Sequence, residues 1–100
     1  MFPIKEYERR FREILEALDA VDAGERAEDL EDMNAELEDA VFMLTQTDLE
    51  GEDAAEELRD ATEAFEALAE DYREMATECP ALSDPVQRLA MLVDVMKNNL

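Results

Sequence analysis

The chain has 100 residues, the length of one domain, and a formal net charge of −20 from 29 acidic and 9 basic side chains. Hydrophobic residues make up 47%, which excludes a disordered polyanion and leaves a folded protein that tolerates strong self-repulsion. Two glycines and three prolines leave few breaks, so the expected fold is all-α: an antiparallel bundle of about four helices in a single acidic domain spanning residues 1–100.

A first helix is expected from Pro3 to Val21, with Pro3 in the opening turn. Ile4, Tyr7, Phe11, Ile14, Leu15, Leu18 and Val21 form one apolar stripe, and Gly24 ends the helix. A second runs from Glu25 to Gln46 on Ala27, Leu30, Met33, Leu37, Ala40, Val41 and Leu44. Around Ala40-Val41-Phe42-Met43-Leu44 it is apolar on most of its circumference, which asks for burial on two sides. Phe42 and Met43 are therefore candidate oligomer contacts, and a homodimer is one expectation.

After a turn at 47–51, a third helix runs from Asp53 to Glu78. Its stripe is Leu58, Ala61, Phe65, Leu68, Ala69, Tyr72, Met75 and Cys79, and Pro80 stops it. The fourth is expected to start at Asp84-Pro85-Val86-Gln87, with Asp84 as cap, Pro85 first and Gln87 closing a capping box. Val86, Leu89, Ala90, Leu92, Val93, Met96 and Leu100 form its stripe. Met33, Met75, Met91 and Met96 read as core filling. No alternating strand pattern occurs.

The charge is uneven. Residues 25–53 carry 12 acids and one base, and residues 54–79 carry nine acids and two bases, so −18 of the total lies on the second and third helices and their turn. Glu28, Asp32, Glu36 and Asp39, flanked by Asp29, succeed one another by single turns, as do Glu56, Asp60, Glu63, Glu66 and Glu70. If 25–53 were all helix, its acids would follow at about one per 3.6 Å, against one charge per ~3.4 Å along a DNA strand. These ten acids are the expected partner-binding face. The partner is a basic protein surface, met through charge-assisted contacts.

Several chemistries are absent. There is no histidine, which removes the commonest general base and metal ligand, so no enzyme activity, metal or cofactor is expected. The single Cys79 lacks a partner for zinc or for nucleophilic catalysis and reads as a small core residue in a reducing compartment. Aligning Gly51 with the glycine of an EF-hand places Gln46 first and Asp53 where an apolar residue is usual, which argues against such a loop. Direct nucleic-acid binding is disfavoured, because Arg9, Arg10 and Arg12 sit among Glu8 and Glu13. No apolar run is long enough to span a membrane, the start does not read as a signal peptide, and a cytoplasmic location is expected.

The opening Met1-Phe2-Pro3-Ile4-Lys5-Glu6-Tyr7 and the acidic block from Glu25 to Asp39, in a His-free helical chain of this size, resemble the small phage-encoded anti-CRISPR proteins, including inhibitors of the type I-F surveillance complex. The resemblance implies a non-enzymatic, DNA-mimic-like inhibitor in the host bacterial cytoplasm. Its partner would be a Cas subunit of an RNA-guided complex, whose target DNA binding it blocks. Such families share little sequence, so no residue role is carried over. The alternative from the residues alone is an acidic chaperone or adaptor for a basic or apolar protein.

Self-repulsion on this scale makes a prediction. Raising NaCl from about 20 to 500 mM at neutral pH, a range over which the screening length falls several-fold, is expected to raise the melting temperature followed by circular dichroism. A fall would mean that the acids are already paired.

Overall fold

The computed structural model describes residues 2–100 and contains four α-helices: α1 (Ile4–Asp19), α2 (Ala27–Thr45), α3 (Ala54–Glu78) and α4 (Ser83–Asn98). Single 3₁₀ turns at Gly24–Arg26 and Pro80–Leu82 lead into α2 and α4. Each helix packs against the next, and α4 closes back on α1. The result is an up-down-up-down ring with extents of 45 × 21 × 19 Å. The long dimension is that of α3, whose 25 residues span about 37 Å at 1.5 Å each.

The stripes explain the ring. Tyr7, Phe11, Ile14, Leu15 and Leu18 of α1 are buried with Leu30, Leu37, Val41 and Leu44 of α2. From the other side come Leu58, Phe65, Leu68, Ala69, Tyr72 and Met75 of α3 and Val86, Leu89, Leu92, Val93 and Met96 of α4. Phe11 and Phe65 stack across the bundle with ring centroids 4.1 Å apart and planes within 5°. Burying one such side chain is worth about 1.5–3 kcal/mol. A like-charge pair one turn apart opposes the helix by only a few tenths, so the core decides the fold against the surface charge.

Several local expectations need correction. Helix α1 ends at Asp19, short of Val21, and Gly24 (φ +58°) opens the 3₁₀ turn before α2 instead of closing α1. Pro3 sits one residue ahead of α1, and α2 is regular only from Ala27, which is exposed. The capping box at Asp84 does not form: α4 starts at Ser83 without a side-chain cap, and Asp84 pairs with Arg88 at 2.7 Å. Pro85 still falls in the first turn, where its missing N–H leaves nothing unpaired. Met91 and Leu100 are exposed at 60% and 50%, outside the core to which their spacing pointed. Cys79 is half-buried against the core, in extended backbone before Pro80, as the following proline requires.

One polar linkage runs through the interior. The Tyr72 hydroxyl donates to Asn34 Oδ1 at 2.8 Å, and Asn34 Nδ2 donates to Asp19 Oδ1 at 2.8 Å. It ties α1, α2 and α3 at one level, and both Asn34 and Tyr72 are buried. Burial, then the charges of Asp19 and Glu36, push the Tyr72 phenol well above its ordinary value of 10.

Two outcomes follow. Asn34→Ala strands the buried Tyr72 hydroxyl and is expected to lose about 1–3 kcal/mol in urea unfolding. The folded state favours the neutral phenol, so this contribution is whole below pH ~10 and fades as pH rises through that value toward the higher folded one. Tyr72→Phe is expected to flatten the alkaline loss of stability between about pH 9.5 and 11, compared with wild type. An unchanged alkaline slope would place that loss elsewhere.

Candidate acidic binding face

At 3.6 residues per turn, with the buried Leu30, Leu37 and Val41 pointing inward, Asp29, Asp32, Glu36, Asp39 and Glu28 of α2 occupy the outward arc and the flank that turns toward α3. Glu31 lies on the opposite flank, in the cleft shared with Asp19 of α1, and Glu38 falls on the same side. On α3, Asp60 faces the α2 seam and Glu56 points outward. Glu63, Glu66 and Glu70 lean to the α4 side, where Glu66 Oε1 takes Lys97 Nζ at 3.1 Å.

The predicted residues therefore do not form a single stripe. What α2 and α3 enclose between them is a groove of about 530 Å³ at the start of α2 and the end of α3, lined by Asp29, Asp32, Met33, Asp71, Glu74 and Glu78. Only Asp29 and Asp32 belong to the predicted face. Glu74 and Glu78 continue the α3 row at four-residue spacing but lie beyond the ten acids of the predicted face, and Asp71 stands off that row. Their common feature is that each falls on the flank of α3 that the antiparallel packing turns toward the first turns of α2. Their position relative to Tyr72 and Met75 carried that signal, but only once the neighbour of α3 was known.

The one cation that lines this groove among the described residues is already engaged. Arg26, in the turn before α2, donates Nε to Asp29 Oδ2 at 2.9 Å and places Nη1 against Glu78 Oε2, so it clasps the start of α2 to the end of α3. Asp32, Asp71 and Glu74 have no ion-pair partner among the described residues. The other two arginines of the hairpin lie elsewhere: Arg73 lines the α3–α4 cleft with Asp94, and Arg59 falls on that same flank of α3. On α1 the situation is reversed. Arg9 bonds Glu6 and Glu13, Arg10 bonds Glu6, and Arg12 lies 3.5 Å from Glu8. Arg9 holds the Glu6 carboxyl below its usual range, and Glu6 in turn raises the Arg9 guanidinium.

The density of acids along each helix is lower than a continuous helix over 25–53 would give, because residues 46–53 form the turn. Helix α2 carries seven acids in 19 residues and α3 nine in 25, so each has about one per 4 Å of axis, a little sparser than the one per ~3.4 Å of a DNA strand. Each helix also sends some of them away from the groove.

Phe42 and Met43 are exposed at 55% and 65%, so the second burial that this apolar run asks for is not met within the chain. They do not act together. Met43 lines a depression on the α2–α3 seam, whereas Phe42 points about 100° away, toward the α1 side. The 46–53 turn is held by Asp48, which accepts the Glu50 amide at 3.0 Å on Oδ1 and the Gly51 amide at 3.1 Å on its carbonyl. Asp48 thus serves the turn's own backbone. Among the described residues no group of three or more His, Cys, Asp or Glu is placed to hold a metal ion, and no helix is long and apolar enough to cross a membrane.

Comparison of the chain with protein-family models, with curated proteins and with solved structures returns no match.

Proposed function

We propose that this protein is a non-enzymatic binder of basic protein surfaces, and that it works by occupying a site built for nucleic-acid phosphates. The observation that carries this reading is the α2–α3 groove, where Asp32, Asp71 and Glu74 have no cationic partner while Arg26 is taken up by Asp29 and Glu78. Unpaired carboxylates converging on one concavity repel each other and offer a strong position to a partner's Lys or Arg. An Arg received there makes charge-assisted bonds about twice as strong as neutral ones. A net charge of −20 steers such a partner from a distance. The near-DNA spacing of carboxylates along both helices fits a surface shaped for phosphates. The resemblance to anti-CRISPR proteins makes the type I-F surveillance complex the partner to test first, with loss of target DNA binding as the effect.

The test compares two triple variants of equal charge change. Asp32, Asp71 and Glu74 changed to Lys reverse the groove. Glu31, Glu63 and Glu70 changed to Lys reverse acids that lie off it. Both are checked for helical content and melting temperature. Each is then assayed for binding to a lysine-rich peptide and for displacement of duplex DNA from purified type I-F surveillance complex. The groove variant is expected to lose at least tenfold in peptide binding and the other markedly less, with wild-type affinity falling steeply from 50 to 300 mM salt. A folded groove variant that binds as wild type does, or binding indifferent to salt, overturns the acidic-groove reading. Peptide binding without DNA displacement overturns the surveillance complex as the target.

A further inference from the structure

The α2–α3 seam does not end with the acidic groove. Ten residues further along α2, about 15 Å of helix from Met33, it opens into a second depression of about 370 Å³ between the end of α2 and the start of α3. This one is apolar where the first is charged. Ala40 on α2 and Ala61 and Ala64 on α3 leave it shallow and wide, Met43 stands beside it at 65% exposure, and Glu57 and Asp60 border it. Among the described residues no basic side chain lines it. Small side chains facing each other across a seam, with a flexible thioether alongside, make room for a bulky apolar group that is not supplied by the chain itself.

We infer that this slot receives a single large apolar side chain (Leu, Ile, Met or Phe) from the same basic partner whose Lys or Arg enters the acidic groove. The inference rests on the acidic-groove reading and specifies the partner further: a basic segment with one apolar anchor about 15 Å from its cationic cluster. The carboxylates of Glu57 and Asp60 select the occupant. They favour an anchor flanked by positive charge, and they reject a second copy of this chain, whose own seam would bring the same acids against them. The anchor contributes the salt-resistant part of binding, since apolar burial is not screened.

The experiment uses two synthetic helical peptides with identical lysines, one carrying Leu and the other Ser at the anchor position, titrated into the whole protein with methyl and amide resonances followed by NMR. The Leu peptide is expected to bind about tenfold tighter and to shift the Met43, Ala61 and Ala64 methyl signals. Ala64→Gln, at an exposed position, fills the slot without changing charge and is expected to erase that gain while leaving the Ser peptide unaffected. Equal affinity for the two peptides, a gain that survives Ala64→Gln, or shifts centred on Met91 and Val95 overturns the slot. Concentration-dependent shifts at Met43 in the protein alone name a second copy as occupant and overturn it too. The two readings fail separately. Equal, salt-sensitive binding that the groove triple variant abolishes removes the slot and keeps the groove. An intact, salt-insensitive Leu preference in that variant removes the groove and keeps the slot. If neither peptide binds, both are removed.

Discussion

Two helices and their connecting turn, with a net charge of −18 between them, lie side by side here, and everything else in the molecule is arranged around that tension. Apolar contact holds them together. Leu37, Val41 and Leu44 of α2 and Phe65 and Tyr72 of α3 are almost wholly removed from water, and α1 and α4 complete the enclosure. Because each buried side chain outweighs several exposed like-charge pairs, the carboxylates need not be neutralised for the fold to form. They remain available on the outside. The same inequality lets Asp71, Glu74 and Asp32 line one groove with no ion-pair partner among the described residues.

Within that frame the few cations are distributed in a telling way. On α1, arginines are spent on their own helix neighbours Glu6, Glu8 and Glu13, which leaves that helix nearly neutral. Arg26 fastens the end of α3 to the start of α2, and Lys97 of α4 reaches Glu66 at the middle of α3, on the flank away from α2. Such exposed pairs contribute little to stability individually. Their importance lies in position, since they leave the central part of the seam without positive charge. The interior linkage Asp19–Asn34–Tyr72 acts differently. A buried amide and phenol accept only one set of partners, so the linkage sets the level at which α1, α2 and α3 meet, and with it which carboxylates share the groove.

The seam then reads as one composite surface, charged at one end and apolar at the other. Electrostatics would govern encounter and register, and the apolar slot would hold what has docked. A purely acidic face attracts any polycation, whereas an anchor at fixed distance discriminates among them.

Much of this was legible in the sequence. The stripes at three- and four-residue spacing named nearly all of the core, the scarcity of Gly and Pro gave four helices, and Cys79-Pro80 marked the end of α3, because each of these is a local property of backbone and periodicity. Asn34 and Thr62 escaped because their polarity hides their burial, which only a partner can license: Tyr72 and Asp19 for the first, the Leu58 carbonyl for the second. The capping box at Asp84 failed because the preceding 3₁₀ turn starts the helix earlier. The quantity and sequence position of the charge were likewise plain from composition. Which acids converge was not. A helix carries carboxylates around its circumference, and only the neighbour it packs against decides which flank becomes the wall of a groove. Spacing assigned Glu63, Glu66 and Glu70 to the face, yet they turn toward α4, while Glu74 and Glu78 further along the same row, and Asp71 off it, come opposite Asp29 and Asp32. Local sequence determines a helix and its buried stripe because both follow from 3.6 residues per turn; the rotation and pairing of two helices follow from how their cores interlock, and only the tertiary structure decides that.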